Sequence, residues 1–161
     1  LCKALNEVLI STINEREKLD LINIEVIGKM QFEKRILSGR MDGLIIATTT
    51  GSTAHALSAG GPIIDPYLEA MVLVPICPLR ISMKPIVLPI NYSLTINLRE
   101  DSCKARVIAD GLIIKDIIPG DKIIVKVDAY HISGMNDEIR IFYLFYHLVG
   151  NTQLPYRYMG I

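Results

Sequence analysis

The sequence predicts a mainly β domain: two packed, largely antiparallel sheets, sandwich- or prism-like, with one short inserted helix and a short C-terminal helix. Three observations carry this. Apolar, β-branched runs of strand length recur at roughly 8–12-residue spacing. Gly, Pro and Asp-Gly punctuation separates them. One internal stretch, following Gly51, has a hydroxyl-rich start and a Gly-Gly-Pro stop.

Taken in order, Ala4 to Ile13 is rich in Val, Leu and Ile and reads as one strand. Leu21 to Ile27 alternates apolar with polar and reads as the next. The polar run Asn14-Glu15-Arg16-Glu17-Lys18 between them reads as a solvated turn. Gly28-Lys29 and Ser38-Gly39 bracket a third strand, Phe32 to Leu37. Gly43 to Thr49 is continuously apolar and β-branched, as a strand buried on both faces requires. The turn Thr50-Gly51-Ser52-Thr53 leads into a helix of one to two turns that Gly60-Gly61-Pro62 ends. Met71 to Ile76 and Ile86 to Ile90 are strands fenced by Pro75, Pro78, Pro85 and Pro89. Tyr92 to Leu98 alternates, and Ala105 to Ala109 and Leu112 to Ile117 flank Asp110-Gly111, a strong hairpin signal. Pro119-Gly120-Asp121 turns into Lys122 to Tyr130. The aromatic and apolar residues after Ile139 read as a strand followed by the short C-terminal helix.

The 161 residues make a single domain, and half of them are apolar, enough for a sizeable core. Seventeen basic and seventeen acidic residues cancel, so no global field favours nucleic acid or an anionic membrane. Cys2, Cys77 and Cys103 are odd in number, widely spaced and without CxxC. They predict neither a disulfide framework nor a zinc ribbon, but buried free thiols in a reducing cytoplasm. No apolar run reaches the ~20 residues that span a bilayer. His55, His131 and His147 are too dispersed for a metal site. The start, Leu-Cys-Lys-Ala-Leu-Asn-Glu, has neither an initiator Met nor signal-peptide organisation, as expected of a piece of a longer protein.

The stretch Asp42 to Pro62 carries the chemistry. A strand delivering small hydroxyl residues and glycine to a helix N-terminus presents donors and bare backbone N–H groups to an anionic or carbonyl-bearing ligand. A plain strand–helix junction, with Ser52 as N-cap and Gly60-Gly61 as C-cap, explains the same residues. The stretch is neither a P-loop nor a GxGxxG turn.

In length and residue order it resembles the NAD kinase family, of prokaryotic, archaeal-like type. The matching residues are Asp42-Gly43, the apolar strand, Thr48-Thr49-Thr50-Gly51-Ser52-Thr53-Ala54-His55, and Ser58-Ala59-Gly60-Gly61-Pro62. Asn6-Glu7 matches the family's Asn-Glu pair. Val74 to Pro78 with Lys84 to Pro89 matches its proline-fenced strand pair, and Asp110-Gly111 its late Asp-Gly turn. The resemblance implies that residues 1–161 are the NAD-binding C-terminal domain. The N-terminal α/β domain, with its Gly-Gly-Asp-Gly-Thr phosphate cradle and catalytic aspartate, would lie upstream.

The resemblance also implies roles. Asn6 and Glu7 would contact adenine and ribose hydroxyls. Thr50, Thr53 and Ala54 would lie against the adenosine, and Ser58, one helical turn on, would face the nicotinamide amide. Arg40 and Asp42 would reach the nicotinamide part, in a neighbouring subunit or the same one, and Cys77 would sit near its ring. His55 replaces the family's Tyr, keeping a ring that stacks or hydrogen-bonds but offers less aromatic surface. Thr49 replaces its Pro, Met41 a Gly, and Leu112 a polar residue. The implied reaction is phosphoryl transfer from ATP or polyphosphate, with Mg²⁺ or another divalent metal, to the adenosine ribose 2′-hydroxyl of NAD. The implied assembly is a cytoplasmic homodimer or homotetramer with no nucleic-acid or membrane partner. A non-catalytic dinucleotide-binding or oligomerisation module, and a lipid-kinase-type C-terminal domain, are the alternatives.

Overall fold

The computed structural model describes residues 2–13, 20–132 and 139–149. Among these, twelve strands form two six-stranded sheets in which every neighbouring pair is antiparallel. In chain order they are β1 (Cys2–Ala4), β2 (Glu7–Thr12), β3 (Ile22–Lys29), β4 (Glu33–Met41), β5 (Gly43–Thr48), β6 (Ala70–Ile76), β7 (Ile86–Pro89), β8 (Ser93–Leu98), β9 (Ala105–Ala109), β10 (Leu112–Ile117), β11 (Lys122–Ile132) and β12 (Ile139–Val149). The first sheet runs β1-β12-β11-β8-β3-β4 and the second β10-β9-β2-β5-β6-β7. A 3₁₀ turn, Thr50–Thr53, and one α-helical turn, α1 (His55–Ser58), follow β5.

The expected class is therefore observed, and most strands fall within a residue or two of their sequence signals. Two boundaries differ. The run from Ala4 to Ile13 is not one strand: β1 belongs to the first sheet and β2 to the second, and the chain changes sheets at Leu5-Asn6. Ser38-Gly39 does not end a strand, because β4 pairs with β3 through Met41, with Gly39 opposite Ile24. Gly39 lies inside the paired strand with φ 156°, and the Met83 methyl group packs over it, so this glycine sits in a strand and not in a turn. The solvated turn at 14–18 and the C-terminal helix lie outside the described residues.

Period-two alternation places β5 between two cores. Leu44 and Ile46 face the first sheet and pack in the inter-sheet core with Ile10, Ile24, Met71 and Leu94. Ile45 and Ala47 point the other way and pack with Val72, Val74, Ala56 and Ile64. Helix α1 and the segment after it thus cover the outer face of the second sheet, and all six residues of β5 are buried. A strand covered on both faces needs no polar residues, which explains its uninterrupted apolar run. Among the described residues no helix is long and apolar enough to cross a membrane.

Candidate functional site

The site is built where the sheet-switching segment meets the end of β5. Backbone groups that leave a sheet need other partners. The Asp110 carboxylate accepts the amides of Leu5, Asn6 and Glu7 at 2.6, 2.8 and 3.1 Å. The buried Thr48 hydroxyl donates to the Leu5 carbonyl at 2.8 Å and accepts the Gly51 amide at 3.0 Å. The Thr48 amide donates to the Asn6 carbonyl at 2.9 Å. The Asn6-Glu7 pair is therefore clamped from two sides, by a residue 104 positions away from Asn6 and by the strand that delivers the hydroxyl turn.

Gly51 completes the junction. A Cβ there would fall on the Asn6 backbone, so only glycine lets the turn lie on the Asn6 peptide. The Ser52 side chain is fully buried. Its hydroxyl donates to the Thr49 carbonyl at 2.7 Å and accepts the Ile64 amide at 3.1 Å. Ser52 is thus no helix N-cap but a rivet between the turn and residue 64. Gly60 and Gly61 do end α1. Gly60 has φ 85°, its amide donates to Leu57, and the Gly61 amide reaches back to Ala56, the paired bonds of a Schellman stop.

Two expectations about the helix are corrected. It is four residues long, too short to hold an anion by an aligned dipole at its N-terminus. Ala54 (φ −92°, ψ −129°) interrupts the winding, so Ser58 follows Ala54 across a break and not along a continuous helix. Thr50, Thr53 and Ser58 are exposed, and the Thr53 hydroxyl donates to the Thr50 carbonyl at 3.2 Å.

The electrostatics of this corner centre on Glu7, a residue 8% exposed. Burial and the nearby Asp110 charge push its carboxyl above the ordinary range, and His55 pulls it partly back. Buried side-chain polar atoms normally have at least one hydrogen-bond partner. Here Glu7 Oε2 and the Thr49 hydroxyl are buried without a hydrogen-bond partner. Two orphaned acceptors beside exposed hydroxyls suit a ligand that brings donors, such as sugar hydroxyls or an amine.

Asn6, Glu7, Thr50, Thr53, Ala54, His55 and Ser58 thus gather at one end of β5, with Asp110 behind them. Arg40, Asp42 and Cys77 sit at the other end. Asp42 donates its amide to Ile76 and accepts that of Thr12, each at 3.0 Å, and the Arg40 carbonyl accepts the Leu79 amide at 2.9 Å. Asp42 and Thr48 are separated by an extended strand, about 20 Å at ~3.3 Å per residue. One copy of the chain does not bring the two groups together. The Arg40 guanidinium lies 3.1 Å from Asp101, whose carboxyl it holds below the usual range together with the Asn23 amide.

The buried-thiol expectation fails for Cys77. It is exposed, in a left-handed turn (φ 44°) immediately after β6, where the chain has left the sheet and no second layer covers it. Cys103 is half-buried, and burial pushes its thiol up. Among the described residues no cluster of three His, Cys, Asp or Glu side chains could hold a metal ion. Sequence reasoning missed the positioning parts: Thr48, Ser52 and the Asp110 carboxylate. For Thr48 a signal existed, since it is the first hydroxyl after an otherwise apolar buried strand.

Known proteins resemble this chain in sequence and in fold. Residues 5–135 match the ATP-NAD kinase C-terminal domain family. An NAD kinase from Methanosphaera stadtmanae is 35% identical over 115 residues, covering 70% of this chain and 38% of the relative. Yeast NADH kinase, solved with NADH, superposes with a TM-score of 0.65 at 25% identity, covering 89% of this chain and 34% of that one. An NAD kinase from Archaeoglobus fulgidus, solved with ATP, gives 0.59 at 34% identity, covering 73% and 43%. The chain spans less than half the length of these curated relatives and solved structures.

Proposed function

This chain belongs to the ATP-NAD kinase C-terminal domain family, and we propose that it is the dinucleotide-recognising part of an NAD kinase. The observation that carries the reading is the pair of orphaned buried acceptors, Glu7 Oε2 and Thr49 Oγ1, at the corner where Asn6-Glu7 and the Thr48–His55 turn meet. Asn6 offers an amide donor and acceptor to the adenine edge, and Glu7 accepts ribose O–H groups. Thr50, Thr53, Ala54 and His55 bound the adenosine with small side chains and one ring, and Ser58 extends the wall toward the nicotinamide amide. The relatives solved with NADH and with ATP support both classes of ligand.

In the whole enzyme the ribose 2′-oxygen would attack the terminal phosphorus of ATP or polyphosphate. An O–P bond forms, the bridging P–O bond breaks, ADP or the shortened chain leaves, and the hydroxyl proton passes to a carboxylate upstream of Leu1. This chain's share is to bind the dinucleotide and fix that ribose, since phosphoryl transfer is mostly positioning and charge neutralisation. Its described residues provide no metal-ligand set, so Mg²⁺ or another divalent ion would enter with the phosphoryl donor. Arg40, Asp42 and Cys77 serve the nicotinamide end of a dinucleotide bound to a neighbouring copy, because about 20 Å of strand separates them from Thr48. The assembly is then a homodimer or homotetramer, and a cytoplasmic one, where Cys77 and Cys103 stay reduced.

Calorimetric titration of NAD tests the reading. The chain binds NAD, and Asn6→Ala and Asp42→Ala each weaken binding by about tenfold, the worth of one good hydrogen bond. The chain alone makes no NADP from ATP. Unchanged affinity in Asn6→Ala sinks the assignment of the corner, and a sample that stays monomeric at micromolar concentration in sedimentation sinks the shared nicotinamide end.

A further inference from the structure

A cavity of about 840 Å³ opens between β4 and the segment from residue 79 to residue 86, at the far end of β5 from the Asn6-Glu7 corner. One wall is the outermost strand of the first sheet. Among the described strands β4 pairs with β3 alone, so one side of its backbone is open. The Leu79 amide donates to the Arg40 carbonyl at 2.9 Å, which puts the Arg40 backbone on that open side. Backbone groups alternate along a strand, so the Ser38 amide and carbonyl face the same way, and Ser38 lines the cavity. After Leu79 the opposing segment turns on itself. The Met83 amide donates to the Arg80 carbonyl at 3.0 Å, and a gap is left beside the strand edge.

The gap is charged with one sign. Five of the chain's seventeen Lys and Arg residues line it, Arg35, Arg40, Arg80, Lys84 and Arg99, and none of its lining residues is Asp or Glu. The formal net charge of the chain is zero, so this is a local concentration of cations and not general basicity. Asp101 lies 3.1 Å from Arg40 and 3.9 Å from Arg99, and Glu25 lies 3.9 Å from Arg35. Arg80 and Lys84 form no ion pair among the described residues. Ile36, Leu37 and Ile86 add an apolar surface to the same cleft.

We propose that this cleft takes an extended acidic polypeptide segment as an added strand beside β4. An open edge offers main-chain bonds to any extended chain, and the side chains around it decide which one is accepted. Successive residues of an added strand point to opposite faces. A segment alternating acidic and apolar residues therefore sets carboxylates against the cations and apolar side chains against Ile36, Leu37 and Ile86. A second copy of β4 would bring the same cations to the same edge, so like-charge repulsion disfavours pairing with itself and leaves an acidic partner favoured. No aromatic side chain lines the cleft, so it lacks the stacking platform that single-stranded nucleic acid uses. A flat anionic bilayer does not reach a backbone edge inside a cleft. The surface goes beyond the dinucleotide reading and does not rest on it. Arg40 figures in both and is left unmutated below.

The test is calorimetric titration of a capped synthetic peptide of about four Glu-Val repeats, an ordinary strand length, into the chain at fixed ionic strength. The peptide binds with one-to-one stoichiometry, and the Ser38 amide becomes protected from hydrogen exchange in the complex. The double variant Arg80→Ser/Lys84→Ser weakens binding by about tenfold or more, the loss of two charge-assisted contacts, and Lys84→Arg retains it. NAD binding is the same in all three proteins. The same peptide with its amides N-methylated keeps its charges but loses its main-chain donors, and it binds at least about tenfold more weakly. Equal peptide affinity in wild type and double variant, equal affinity of the N-methylated peptide, or no binding to wild type at millimolar concentration overturns the proposal. Binding to phosphatidylserine vesicles in place of the peptide overturns it in favour of a lipid surface. An assembly in sedimentation that takes no peptide overturns it in favour of a second copy over the cleft. If NAD fails to bind while the peptide still depends on Arg80 and Lys84, the dinucleotide reading falls and the cleft stands.

Discussion

At the scale of single residues, Glu7 is under electrostatic tension. Its folded-state carboxyl lies above the ordinary value of 4.5, first through burial and then through the Asp110 charge. A raised carboxyl pKa means that the ionised form is disfavoured in the fold. The cost is present in full above the folded pKa, is relieved as pH falls through it, and is gone below the unfolded value. Glu7→Gln removes that cost. The variant should unfold at a higher urea concentration than wild type at pH 7, with the difference shrinking on acidification toward pH 4.5, while its NAD affinity falls. A stability gap that widens on acidification contradicts this account. The same carboxyl is therefore a stability liability, and the donor-bearing ligand proposed above would give Oε2 the partner it lacks. From the sequence, Glu7 reads as a candidate through its motif, but its burial and the orphaned oxygen do not show, because both depend on what β9 and the Thr48 turn place around it.

At the scale of elements, the β9–β10 hairpin does more than reverse the chain. Asp110 and Gly111 both have positive φ (45° and 79°), as the two-residue turn requires, and that geometry aims the Asp110 carboxylate at three amides of the sheet-switching segment. Asp110→Gly keeps the turn but removes the acceptor. Three amides then lose their protein partner, and the expected loss is about 1–3 kcal/mol, read by denaturant unfolding, with weaker NAD binding because Asn6-Glu7 loosens. An Asp110→Gly variant with wild-type stability and affinity shows that the clamp is idle. The Asp-Gly pair is a legible hairpin signal, but the reach across 104 positions to Asn6 is not, since nothing local records which distant amides a turn will meet.

At the scale of the whole molecule, the second sheet is the organising layer, covered by the first sheet on one face and by α1 with its following segment on the other. Ile45 and Ile46 are neighbours in sequence, lie in different cores, and are both fully buried. Ile45→Ala and Ile46→Ala should each cost about 2–5 kcal/mol in denaturant unfolding, whereas Leu112→Ala, at a position 71% exposed on the β10 edge, should stay within about 0.5 kcal/mol. A cheap Ile45→Ala means that α1 does not cap a core.

The sequence by itself determined the β class, nearly every strand, the Asp110-Gly111 hairpin and the motif order that places the chain in its family. These are local: period-two burial, turn chemistry and short residue strings are written in neighbouring positions. Tertiary structure alone decided that the run from Ala4 to Ile13 splits between two sheets, that Ser52 rivets and does not cap, and that Arg40, Asp42 and Cys77 stand a full strand away from Asn6 and Glu7. It also decided that five scattered cations share one cleft. The physical reason is the same in each case. Where a backbone amide finds its acceptor, and which charges become neighbours, depends on pairings between residues far apart in the chain, and local pattern does not encode them.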